Sequence, residues 1–234
     1  EDLGYFAKGN HGADFLIKDM HRLTLIMKKN YPDLPYVLIG HSMGSFMARK
    51  YASIYGDELD GVIFLGTGSQ PKAVVDSGLK LAHIAKLVRG ERYRSELLNK
   101  IMFGAYNKRI KDNRTTNDWL TKDTKIVDEY LSDPKCSYKF TANAYIGFLN
   151  VIKYDIDKKN IAKTPGTLPV LFASGLEDPV GDYGKGVKKA FKMYTKYVDN
   201  VELYLYEDDR HELHSETDRE DIFNDLYEWI EENV

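Results

Sequence analysis

Residues 34–52, LPYVLIGHSMGSFMARKYA, pass from an uninterrupted apolar run into a helix-forming one across a turn holding Gly40, Ser42 and Gly44. Few folds accommodate that order. Tyr36 to Ile39 has the continuous apolar character of a parallel strand covered on both faces. The Met, Phe, Ala, Arg and Lys residues that follow predict a helix from Ser42 to about Tyr55. A tight strand-to-helix turn needs glycine for steric reasons alone. A turn strained so as to push a serine hydroxyl outward needs the same glycines and makes Ser42 a candidate nucleophile.

The rest of the chain repeats the strand–helix alternation. Gly61–Leu65 (GVIFL) reads as a second buried strand, 168–173 (LPVLFA) as a third, and Val201, Leu203 and Leu205 alternate as a half-exposed fourth. Between them lie predicted helices at 12–30, with Phe15, Leu16, Met20, Leu23, Ile26 and Met27 on one face, and at 187–197. A capping box at Thr217 and Glu220 predicts a last helix with Ile222, Phe223, Leu226, Trp229 and Ile230 inward. Alternation of this kind predicts an α/β fold, a mostly parallel sheet flanked by helices. Residues 71–165 carry helical stretches (79–88 and 95–103) and no strand signal. They read as a helical cap insertion dividing the core into 1–70 and 166–234. Leu79, Ile84, Leu87, Val88, Leu97, Leu98, Ile101 and Phe103 of the cap are expected to line a hydrophobic pocket above Ser42.

A serine nucleophile needs a base, and the base needs an acid, each just after a strand. After the third strand, Glu177, Asp178 and Asp182 compete. Asp178 is preferred because it opens the turn and Pro179 locks the chain behind it. After the fourth strand come His211 and His214, and His211 sits in the loop between strand and capped helix. The Met43 N–H, at a helix start, would face a developing oxyanion. His41 is expected to pack beside the turn, and His11, His21 and His83 to be surface or core residues. The two histidines of HELH are three apart rather than the four of a zinc helix, so no metal and no organic cofactor is expected.

A formal net charge of −3 gives the whole chain no electrostatic match to nucleic acid. The charge is uneven, with ten Lys/Arg against three Asp/Glu from Lys80 to Arg114, and twelve acids against two arginines from 207 to 232. Both runs read as solvated faces. The basic one would also suit transient contact of the cap with anionic lipid head groups. No apolar run approaches the ~20 residues of a membrane span. A single cysteine, Cys136, makes no internal disulfide, so a reducing cytoplasm is the expected compartment.

With GHSMG at 40–44, SGLEDPVG at 174–181 and RHELHSE at 210–216, the chain resembles the α/β-hydrolase superfamily. Within it, the chain is similar to the lysophospholipase and monoglyceride lipase branch, which includes serine aminopeptidase-like members. Stretches 103–123 and 127–140 are similar to the cap of bacterial members. The resemblance implies Ser42 as nucleophile, Asp178 as orienting acid, His211 as base, a cap forming an acyl-chain pocket, and a lipid-type carboxylic ester as substrate. A small-ester esterase or peptidase with the same residues, or a non-catalytic member that binds lipid or a partner, are the competing expectations. Asp208 and Asp209, where relatives often have small residues, are expected to add negative charge beside His211. Relatives also carry strands ahead of the helix at 12–30, with a loop that donates a second oxyanion N–H. Their absence here leads to the expectation that strand 36–39 is an edge, covered by a preceding segment or by a second copy in a homodimer.

Overall fold

The computed structural model describes residues 2–111 and 113–234; Glu1, the first residue, and Asp112, inside the stretch 103–123 read above as cap, lie outside it. The chain runs α1 (Gly12–Asn30), β1 (Val37–His41), α2 (Met43–Tyr55) and β2 (Gly61–Leu65). Five helices follow: α3 (Lys72–Arg89), α4 (Glu96–Phe103), α5 (Thr124–Ser132), α6 (Ala142–Asp155) and α7 (Lys158–Ile161). It closes with β3 (Val170–Gly175), α8 (Lys185–Tyr194), β4 (Val201–Tyr206) and α9 (Arg219–Asn233). The four strands form one parallel sheet in the order β1-β2-β3-β4, with His41 opposite Leu65 and Leu65 opposite Ala173.

Each buried strand feeds both faces. Val62, Phe64, Val170 and Phe172 enter the larger core under α1, α2, α6 and α8. Ile63, Leu65, Leu171 and Ala173 enter a smaller one closed by Leu213, Ile222, Leu226 and Trp229. Continuous apolar runs at β2 and β3 are therefore what a doubly covered parallel sheet requires.

Three sequence expectations are corrected. β1 is not covered on both faces. It has a sheet neighbour on one side only among the described residues, the edge position expected for it, but Ile39 is 49% exposed. The buried face of α1 is Ala13, Ile17 and Thr24, whereas Phe15, Leu23 and Ile26 point outward. Side chains at 13, 17 and 24 share a stripe at helical spacing that the larger apolar residues masked. The capping box at α9 does not form: Asp218 occupies the N-cap with no side-chain cap bond.

Among the described residues the segment from β2 to β3 holds no strand. Three of its helices, α4, α5 and α6, begin on side-chain caps, Ser95 accepting from the Leu98 N–H, Asp123 from Lys125 and Ile126, and Thr141 from Ala144. One of them, α6, is no surface lid: Tyr145, Ile146 and Val151 are fully buried, and the helix packs on α1, α2 and α3.

Arg49, 1% exposed, locks α2 in place by donating to the carbonyls of Gly68 (2.8 Å) and Asp155 (2.9 Å). The Asp155 carboxylate beside it finds no hydrogen-bond partner. Burial pushes Asp155 up to about 8, against the pull of the Arg49 charge. The folded chain thus holds this proton more tightly than the unfolded chain. Its stabilising contribution is complete below about pH 4 and is lost as pH rises towards 8. Urea midpoints should accordingly fall with rising pH more steeply in the wild type than in Asp155→Asn. Parallel pH profiles for the two proteins would contradict this.

Candidate active site

The turn after β1 is strained. Ser42 has φ 53° and ψ −122°, a region that side-chain-bearing residues seldom occupy. Two contacts hold it there: the Ser42 N–H donates to the Leu65 carbonyl at 3.0 Å, and the Ser45 hydroxyl donates to the Ser42 carbonyl at 2.6 Å. Gly40 makes the turn possible, because a Cβ there would lie 2.4 Å from the Gly44 carbonyl oxygen. The steric argument applies to Gly40 alone, since a Cβ on Gly44 meets nothing within 4 Å. Met43 opens α2, where the first N–H groups of a helix have no intrahelical acceptor.

The three sequence-designated side chains converge. His211 Nε2 lies 2.7 Å from Ser42 Oγ, and His211 Nδ1 lies 3.0 Å from Asp178 Oδ2. Asp178 and His211 are 0% and 1% exposed. The other Asp178 oxygen accepts the Val180 N–H at 2.8 Å, so the carboxylate is held from two directions. The loop carrying His211 reaches the loop carrying Asp178 because Gly175 ends β3 without a side chain; a Cβ there would sit 2.0 Å from the Asp209 carbonyl oxygen. The rival acids Glu177 and Asp182 are exposed, as is the rival base His214.

Sequence reasoning passed over the ring shell around His211. His41 Nε2 donates to the His211 carbonyl at 3.2 Å, and its ring lies 4.8 Å from that of His211 and 4.6 Å from that of His214. Burial, then the two neighbouring imidazoles, push His41 down to about 3, so it stays neutral. From the other side the Trp119 ring lies 5.0 Å from His211, Tyr106 lies 4.8 Å from Trp119, and Phe103 lies 5.7 Å from Tyr106. These rings lead from the imidazole into the segment between β2 and β3. The signal was present in the stretch 103–123, which carries all three.

The Asp209 carboxylate pairs with Lys122. The carboxylates of Asp209, Glu216 and Asp218 lie within 4.8 Å of one another, the one such group among the described residues with metal-ligand spacing. Lys122 Nζ, paired with Asp209 and 3.6 Å from Asp218, supplies the positive charge there. The expected pocket lining is also corrected. Leu79 and Leu98 are buried, but Leu87 and Val88 are 87% and 70% exposed, and Ile84, Leu97 and Ile101 also face outward. A separate apolar groove of about 450 Å³ lies beyond His41, between Ile39 of β1 and Phe223, Tyr227 and Ile230 of α9. No helix among the described residues is long and apolar enough to cross a membrane.

The sequence profile of the family described as serine aminopeptidase, S33, matches residues 8–218. The chain belongs to that family, within the α/β-hydrolase superfamily. This S33-family chain is 21% identical over 216 residues to a monoglyceride lipase homolog of monkeypox virus, covering 92% of the chain and 69% of that protein. Among solved structures it is similar to a highly thermostable carboxyl esterase from Bacillus coagulans, crystallised with glycerol. The TM-score is 0.88 at 27% identity, over 97% of this chain and 73% of the esterase. A monoglyceride lipase from Saccharomyces cerevisiae shares the fold, with a TM-score of 0.69 at 20% identity over 97% of this chain and 71% of that one.

The two turn glycines of this S33-family chain should differ sharply under substitution. Gly40→Ala drives a methyl into backbone and is expected to cost about 2–3 kcal/mol or more. Gly44→Ala should be neutral or stabilising by up to ~1 kcal/mol, since it only improves helix propensity. Equal losses in thermal unfolding would refute the assignment of close approach to Gly40.

Proposed function

We propose that this chain is a serine hydrolase that cleaves carboxylic esters of lipid type, such as lysophospholipids or monoacylglycerols, through an acyl-enzyme. The observation that carries the reading is the pair of contacts on His211, 2.7 Å to Ser42 Oγ and 3.0 Å to Asp178, at a serine held with positive φ. Ser42 Oγ attacks the ester carbonyl carbon as its proton passes to His211 Nε2, and Asp178 stabilises the imidazolium through Nδ1–H. The charge that develops on the carbonyl oxygen meets the Met43 N–H at the start of α2. Collapse breaks the ester C–O bond, and the departing alcohol takes the proton from Nε2. Water, deprotonated by the same nitrogen, then attacks the acyl-serine, releasing the acid and restoring Ser42.

The lipid reading is supported by the rings of Trp119, Tyr106 and Phe103 beside the base and by the printed name of the viral relative. Outward-facing Ile84, Leu87, Val88, Leu97 and Ile101, interspersed with Lys80, Lys86, Arg89 and Lys100, support a transient contact of α3 and α4 with an anionic lipid surface. The single Cys136, unpaired, supports a cytoplasmic setting. No cofactor takes part in the steps above.

A fluorophosphonate probe should label the wild-type chain on the peptide containing Ser42, and Ser42→Ala should abolish both labelling and turnover, by roughly 10⁴-fold or more. Asp178→Asn should lower kcat by on the order of 10³–10⁴ while leaving the fold intact. Labelling elsewhere would overturn the site. Comparison of p-nitrophenyl acetate with a medium-chain monoacylglycerol tests the substrate class, and turnover confined to the acetate would replace the lipid reading with a small-ester esterase.

A further inference from the structure

Cap residues 118–122 run alongside the loop that carries His211. The His211 N–H donates to the Trp119 carbonyl at 3.4 Å and the Glu212 N–H to that of Leu120 at 2.7 Å. The Arg210 guanidinium donates to the carbonyls of Asp118 (2.6 Å) and Thr121 (2.9 Å). The Lys122 ammonium crosses the same junction to Asp209.

Glu216 lies at the centre of this seam and is 0% exposed. Its Oε1 accepts the N–H of Arg210 at 2.7 Å, one residue before the imidazole. Its Oε2 accepts the N–H of Lys122 at 2.9 Å and the hydroxyl of Thr121 at 2.9 Å. Two of the groups it bonds, one on each oxygen, are backbone N–H groups that cannot reverse. Only an ionised carboxylate offers acceptors alone on both ends. A glutamine of the same shape would turn an NH₂ against one of those N–H groups and leave two donors opposed.

We propose that Glu216 is a positioning residue for His211: by joining the base loop to cap segment 118–122 it orients the imidazole from the cap side, as Asp178 does from the sheet side. The proposal rests on the reading of His211 as the base of a serine hydrolase. The contacts to Asp178 and Ser42 hold the two ring nitrogens but leave the loop backbone free to shift with the ring. Anchoring the backbone at Arg210 and setting Trp119 against the ring removes that freedom. The cap is then part of the base's scaffold as well as a cover for the substrate.

The test compares Glu216→Gln with Ile161→Ala, a core truncation in α7 away from the seam, chosen to lower thermal stability as much. The first readout is the downfield proton resonance of the His211 Nδ1–H bonded to Asp178, assigned by its loss in His211→Ala. The second is turnover of p-nitrophenyl butyrate. Glu216→Gln is expected to broaden or lose the resonance and to lower kcat by on the order of 10–10²-fold, with KM within about twofold, because a misplaced base slows chemistry more than binding. Ile161→Ala should keep both. Retention of resonance and kcat in Glu216→Gln overturns the proposal, and so does an equal loss in Ile161→Ala, which would make the effect one of stability alone. If the wild type hydrolyses no ester, the hydrolase reading fails, and the resonance comparison by itself still decides whether Glu216 orients the ring.

Discussion

The backbone at Ser42 sits in a conformation that costs on the order of 1–3 kcal/mol, and much of the surrounding structure exists to hold it there. The register that sets His41 opposite Leu65 brings the Leu65 carbonyl under the Ser42 N–H. Gly40 lets the first turn of α2 close over the strand. Arg49, two turns further on, ties that helix to Gly68 after β2 and to the end of α6. The serine is thus positioned by sheet register and helix packing together, and its hydroxyl is aimed before any ligand arrives.

Three of the buried carboxylates are treated differently. Asp178 is satisfied by a backbone N–H and an imidazole. Glu216 is satisfied by two backbone N–H groups and a hydroxyl. Asp155 has no partner and keeps its proton instead. The first two sit where the chain turns between elements and free N–H groups are abundant. The third ends a buried helix, where the backbone donors are already used.

Most of the fold was legible because its signals are local. A buried parallel strand reads as an unbroken apolar run, and GVIFL and VLFA are such runs at β2 and β3. The order of Ser42, Asp178 and His211 after β1, β3 and β4 was legible for the same reason. What sequence could not show depends on neighbours distant in the chain. The exposure of Ile39 follows from which strands flank it, and the outward turn of Leu87 and Val88 from how α3 lies on α6. Glu216 stood inside the motif RHELHSE, yet its three donors come partly from residues 121 and 122, and no spacing rule points to them.

The contact between Ser42 and His211 joins residues 169 positions apart. Closing it requires β3 to find β2 across the whole helical segment between them, and β4 to find β3 afterwards. Parallel pairings at such separation are slow, since chain entropy is lost before any contact rewards it. The reactive geometry is therefore among the last things the polypeptide acquires. A half-made chain holds the serine and not the imidazole, so the contact between the two marks the end of refolding rather than its progress.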